Sequence, residues 1–211
     1  MKLYGYWRSG AAYRVRIGLN LKGIACEQVP VHLVRDGGEH KKPPYVAINP
    51  QARVPSLVLD DGSVLCQSSA ILEWLEETHP VPALLPRDPV ARAKMRGVCA
   101  IIGADVHPLG NVGPLNYLRR TFGADDAAIN AWVGHWITEG FTAVETLIEG
   151  RGFAFGEQPS MADVYIVPQV FAARRFHAPL DRFPKITRVY ETCSALDAFE
   201  RAAPGNQPDA E

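Results

Sequence analysis

Arg8, Ser9 and the small residues Gly10, Ala11 and Ala12 stand together in YWRSGAAYRVRIGL, residues 6–19. The stretch reads as the end of a strand, a tight turn and the start of a helix. A helix start offers free N–H groups and a partial positive charge, so it favours an anion. The small side chains would let a ligand approach the backbone closely. Ser9 can donate its hydroxyl to that ligand, or it can simply cap the helix, and capping alone explains it. The turn holds no cysteine, so any sulfur chemistry performed here must take its sulfur from a cofactor. Cations are also concentrated nearby: Lys2, Arg8, Arg14, Arg16 and Lys22 all precede the first acid, Glu27. That local field suits a small anionic ligand, although solvated arginines on an exposed helix face would explain it equally well.

Two further stretches carry weaker signals. In NPQARVPSLVL, residues 49–59, the Val54–Pro55 bond before a strand is a candidate cis peptide, with an ordinary trans entry as the alternative. QSS, residues 67–69, opens a helix. Ser68 or Ser69 as an N-cap suffices to explain it; a second helix N-terminus binding a carboxylate, with Gln67 supplying an amide, is the functional reading. Metal and disulfide chemistry find no support. Cys26, Cys66, Cys99 and Cys193 form no C-x-x-C pair, and the histidines show neither H-x-x-x-H nor H-x-H. A reducing, cytoplasmic setting fits these thiols. The formal net charge of −1 gives no general bias toward nucleic acid or an anionic membrane. There is no signal-peptide-like N-terminus, and no apolar run approaches the roughly 18–20 residues of a membrane span.

The elements that must position these residues fall into two parts. KLYGYW reads as a strand, and residues 11–23 as a helix with Tyr13, Ile17, Leu21 and Ile24 on one side. EQVPVHL is a second strand, placed at an edge by Pro30. After a polar, loop-like segment, SLVLDDGSVLCQ is a hairpin about Asp61-Gly62, and a helix with Ile71, Trp74 and Leu75 follows. This is an α/β layout with a mixed sheet. Four prolines in HPVPALLPRDP, residues 79–89, mark a stiff connector. Beyond it the pattern is helical through about 89–120, 125–149, 160–176 and 187–201, with Pro108, Pro114 and Pro168 as interruptions. The expected domains are therefore 1–80, a linker at 81–88, and an all-helical part at 89–211.

Taken in order, the SxxxxR turn, V-P-S-L at 54–57, D-G-x-x-L-x-Q-S-x-A-I-L at 61–72, the proline-rich linker and the helical part resemble the glutathione transferases. PSMADVYIVPQV at 159–170 adds a capping box, Ser160 with Asp163, at the start of a buried helix. RSGAAYRVRIGLNLKGI, GGEHKKPPYVAINPQARVPSL, ADVHPLGNVGPLNYL and AARRF look like their counterparts in the zeta class. The chain departs from that class where Gly10 replaces a second serine and Ala11 replaces a cysteine.

The resemblance implies a thioredoxin-like domain with a mixed four-stranded sheet, followed by an all-α domain. It implies a cytoplasmic homodimer that uses glutathione. The implied activity is cis–trans isomerisation of maleylpyruvate to fumarylpyruvate in aromatic-compound catabolism, by reversible addition of the glutathione thiolate to the alkene. Alternatives are maleylacetoacetate as substrate, general conjugating transfer, or a non-catalytic binding role. The residues it implicates in catalysis are Ser9, Arg8 and Arg175. For glutathione they are Ser9, His40, Gln51, Val54, Pro55, Gln67, Ser68 and His107. Arg8, Arg174, Arg175 and Asn111 would hold a dicarboxylate keto acid, and Asp105 falls in the same helical segment. Arg14 reads as structural, and Arg174 with Arg175 could instead complement a helix C-terminus. Trp132 and Trp136, four residues apart, suit either a subunit contact or a core.

Overall fold

The computed structural model describes residues 1–211 and divides into two compact units, Met1–Ala83 with Leu196–Glu211, and Leu84–Ala195. In the first, β1 (Lys2–Gly5), α1 (Gly10–Leu21) and β2 (Glu27–Pro30) precede a short α2 (Pro43–Val46). The hairpin β3 (Ser56–Val58) and β4 (Val64–Cys66) leads into α3 (Ser68–Thr78). Strand order is β2-β1-β3-β4, with β1 and β2 parallel and the other pairs antiparallel. The sheet is mixed and four-stranded, and the Pro30 strand lies at its edge, where a missing N–H costs no ladder bond. Leu3 and Leu57, cross-strand partners, are fully buried in the core.

α1 and α3 lie against the same core. A Cβ at Gly18 would run into the Leu72 side chain, so glycine is what permits the helices to approach this closely. One turn further along both helices, Lys22 Nζ donates to Glu76 Oε2 at 2.6 Å. Contacts that advance together along both helices mean that α1 and α3 run in the same direction. Their N-termini therefore lie at the same end of the unit. The last helix, α9 (Asp197–Ala202), also belongs here, with Asn20 Nδ2 donating to the Ala198 carbonyl at 2.9 Å.

The second unit is helical: α4 (Pro89–Ala100), α5 (Val112–Phe122), α6 (Asp126–Leu147), α7 (Met161–Arg175) and α8 (Pro184–Ser194). The stretch expected to be helical over 89–120 is interrupted. It widens into a π turn at Ile101–Val106 and tightens into a 3-10 turn at His107–Gly110, which contains Pro108. The stretch 187–201 likewise resolves into parts of α8 and α9. α7 is buried from Met161 to Val170 and begins with the expected capping box. Asp163 accepts from the Ser160 N–H at 2.7 Å, the Ser160 hydroxyl at 2.6 Å and the Ala154 N–H at 2.7 Å. No helix is long and apolar enough to cross a membrane.

Candidate functional site

The turn after β1 closes when the Ser9 N–H donates to the Tyr6 carbonyl at 2.9 Å. Ser9 is the N-cap of α1, and its Oγ accepts from the Ala12 N–H at 3.3 Å. A hydroxyl has one donor and two acceptor lone pairs. Capping uses a lone pair and leaves the proton available, so the two readings of Ser9 are compatible. No acidic residue occupies the first turn of α1, so the helix's own side chains leave its positive end open. Arg8 is half-buried, its guanidinium 5.5 Å from the Trp7 ring centroid and 5.7 Å from that of Tyr6.

Arg14 and Arg16 are only 2% and 4% exposed, which overturns the reading of a solvated arginine face. Arg16 donates to the carbonyls of Ala202, Tyr6 and Trp7. Burial draws its pKa down to about 10, which leaves it cationic at neutral pH. At the turn itself, Arg8 is the guanidinium open to a ligand.

Val54–Pro55 is a cis peptide, and pairing of β3 begins only at Ser56, so the Val54 main chain lies outside the sheet register. Gln67, at φ +70°, is the N-cap of α3, and Ser68 is the helix's first residue. Neither Ser68 nor Ser69 is the cap, because Gln67 takes the N-cap position, and its side chain makes no capping bond. The ordinary explanation of QSS thus falls away, and an open helix start remains. Gln67 Nε2 donates to Gln51 Oε1 at 2.6 Å, bringing two of the sequence-predicted residues together.

His40 is 7% exposed, and its buried Nδ1 has no hydrogen-bond partner. The backbone is built around this ring: Gly38 sits at φ +101°, and a Cβ there would collide with the imidazole and the Leu33 carbonyl. The open starts of α1 and α3, at the same end of the unit, fit a ligand bearing a carboxylate and a thiolate, as glutathione does.

Burial, helped by Lys41, holds the His40 pKa below its usual value. The unfolded chain, with a histidine pKa near 6.5, then binds more protons on acidification than the folded one. Stability contributed by neutral His40 is complete above about pH 6.5 and is lost as pH falls toward the folded pKa. The unfolding midpoint should therefore drop from pH 7 to pH 5 more steeply in the wild type than in His40→Gln. Equal slopes would remove His40 as the cause.

In the second unit, Asp105 is exposed on the π turn and His107 is half-buried on the 3-10 turn. Asn111 is the N-cap of α5 and makes no side-chain capping bond. Trp132 donates its indole N–H to the Leu109 carbonyl at 3.0 Å and meets the Trp136 ring edge-on at 5.6 Å, contacts that give both rings an intramolecular role. Arg174 and Arg175 are exposed at the C-terminal end of α7. The Arg174 guanidinium stacks on Tyr190 of α8 at 4.1 Å, while that of Arg175 lies 4.5 Å from the Phe176 ring. Sequence reading missed Asp209, whose carboxylate accepts the Trp7 N–H at 3.0 Å across 202 positions. No local pattern signals such a contact.

Known proteins share the sequence and fold of this chain. Residues 3–86 match the glutathione S-transferase N-terminal domain, and residues 126–192 match the C-terminal domain of the same family. The chain is 53% identical over 209 residues to a maleylacetoacetate isomerase of Pseudomonas aeruginosa, covering 99% of this chain and 98% of the relative. It is 53% identical over 216 residues to a maleylpyruvate isomerase of a Ralstonia species, covering 100% of both. A holo structure of a zeta-class bacterial maleylpyruvate isomerase superposes with a TM-score of 0.96 at 52% identity, over 100% of both chains. A maleylacetoacetate isomerase from Methylobacterium extorquens, solved with malonate and glutathione bound, gives a TM-score of 0.93 at 39% identity, again over 100% of both.

Proposed function

Because the chain belongs to the glutathione S-transferase family, we propose that it catalyses the glutathione-dependent cis–trans isomerisation of maleylpyruvate to fumarylpyruvate. The observation that carries this reading is the turn at Arg8 and Ser9. It offers an open helix start, a free hydroxyl proton and a guanidinium, with alanine at position 11 and no thiol of its own. When bound, glutathione supplies the thiolate whose reversible addition to the alkene frees the double bond to rotate.

The chain's own residues meet the remaining demands. The Ser9 hydroxyl donates toward the thiolate, and the N-terminal amides of α1 favour its charge. Gln51, Gln67, Ser68 and the open start of α3 hold a carboxylate of the tripeptide. The Val54 main chain, next to Pro55, pairs with its backbone, and His40 and His107 add polar contacts. Arg8 and Arg175 bind the substrate carboxylates through planar forks, and Arg8 offsets the negative charge that develops on the keto oxygen. Arg174 and Asn111 serve the substrate side. In this division residues 1–80 bind glutathione, 81–88 connect, and the helical residues from 89 onward serve the substrate, except that Leu196–Glu211 belongs with the first unit.

Ser9→Ala should raise the pKa of the bound glutathione thiol by about 1–2 units, the worth of one hydrogen bond to a charged group. An ultraviolet titration of bound glutathione that shows no rise would remove Ser9 from this role. The activity itself is tested by following maleylpyruvate by NMR with glutathione absent and then restored. Trans product with glutathione recovered intact supports the isomerase; a lasting conjugate or no turnover overturns it. Maleylacetoacetate is the second reading, since relatives named for each substrate match at the same 53% identity. The larger kcat/KM of the two decides between them. The protein acts in this reading as a cytoplasmic homodimer in aromatic-compound breakdown. Light scattering should accordingly give twice the chain mass of 23.1 kDa.

A further inference from the structure

The C-terminal segment returns to the turn that carries Arg8 and Ser9. Trp7, the residue before them, donates its N–H to Asp209 Oδ2 at 3.0 Å. The Trp7 carbonyl accepts from Arg16 Nη2 at 2.8 Å. One residue earlier, the Tyr6 carbonyl accepts from the Ser9 N–H at 2.9 Å and from Arg16 Nη1 at 3.5 Å. Arg16 Nε donates to the Ala202 carbonyl, the last residue of α9, at 2.9 Å. A single buried guanidinium thus bridges the turn and the tail. The tail is anchored further along, where the Glu211 carboxylate accepts from Arg35 Nη2 at 2.8 Å and lies 3.2 Å from His32 Nε2.

The two peptide groups on either side of Trp7 set the direction in which Arg8 leaves the backbone. Both are gripped by residues remote in sequence. The Trp7 ring in turn lies beneath the Arg8 guanidinium. Trp7 is only half-buried, so water could satisfy its N–H. A carboxylate beside a buried cation does the same with fixed direction and charge assistance. We propose that Asp209, acting with Arg16, is a positioning residue that aims Arg8 and the Ser9 hydroxyl from the C-terminal tail. The inference rests on the isomerase reading for the roles of Arg8 and Ser9.

The test uses Asp209→Ala and Asp209→Glu, since replacing buried Arg16 could unfold the chain. Asp209→Ala should lower kcat/KM for maleylpyruvate by about tenfold, within the ~100-fold that small misplacements of reacting groups can cost. The thiol pKa of bound glutathione should rise, and the unfolding midpoint should move by only a few degrees. Asp209→Glu should recover part of both kinetic and titration changes. Wild-type rate and wild-type thiol pKa in Asp209→Ala would overturn the proposal. So would a rate loss with unchanged thiol pKa that merely follows a lowered unfolding midpoint. The titration needs glutathione alone, so a wild type that fails to isomerise maleylpyruvate sinks the isomerase reading while the positioning role is still read from the thiol.

Discussion

Arg8→Ala is expected to lower kcat/KM for maleylpyruvate by about 10²–10³-fold, the usual cost of deleting one preorganised donor aimed at developing charge. The loss should appear in both constants. KM should rise because a carboxylate loses its planar partner, and kcat should fall because charge on the keto oxygen goes uncompensated. The structure explains why this arginine and not its neighbours should matter. Arg14 and Arg16 are buried, and Arg16 is consumed by three backbone carbonyls. Arg8 instead contacts two aromatic rings and no carboxylate, so a ligand meets a guanidinium that need not first break an ion pair. Arg8→Lys keeps the charge but loses the fork, and should recover less than half of the lost transition-state stabilisation. Steady-state kinetics of the two variants, with circular dichroism to show intact folding, check this. An unchanged kcat/KM in Arg8→Ala would take Arg8 out of the site.

Much of the frame was legible because it is encoded locally. The Pro30 strand had to lie at an edge, and Asp61-Gly62 had to turn a hairpin. Ser160 and Asp163 had to cap a helix, since each outcome depends on neighbours within a few residues. The candidate site residues and the activity came from motifs that resemble a family, while the missing thiol argued only that any sulfur chemistry at the turn borrows its sulfur. What local pattern could not carry was burial and long-range pairing. Arginine spacing in α1 reads the same whether the side chains face solvent or backbone carbonyls 186 positions away. α9 looks like the end of a helical domain, yet it packs with the sheet unit. QSS looks like a cap by residue type, but Gln67 at positive φ shifts Ser68 into the helix. The breaks around residues 101–110 arise where Pro108 cannot donate and where α6 presses close, with a Cβ at Gly140 blocked by Val106.

The second large effect lies far from Ser9, at the other end of α1. Lys22 and Glu76 form an ion pair whose side chains are 0% and 5% exposed, and Lys22 Nζ also donates to the Pro82 carbonyl at 2.6 Å. Lys22→Met would leave the Glu76 carboxylate buried without its cation. The expected loss is about 3–5 kcal/mol of unfolding free energy, or a fall of roughly 10 °C in unfolding midpoint for a chain of this size. Combining it with Glu76→Leu should restore most of that loss, because a packed apolar pair avoids the desolvation of two charges. The double variant separates what the pair contributes to stability from what it does for the site. α1 and α3 run in the same direction, so Ser9 at the start of one and Gln67 with Ser68 at the start of the other lie at the same end of the unit, the end proposed to bind glutathione. If the ion pair sets the register between the helices, the restored double variant should fold well yet bind glutathione several-fold more weakly by calorimetry. If binding returns in full, the Gly18–Leu72 contact alone fixes that register, and the buried charges are there for stability.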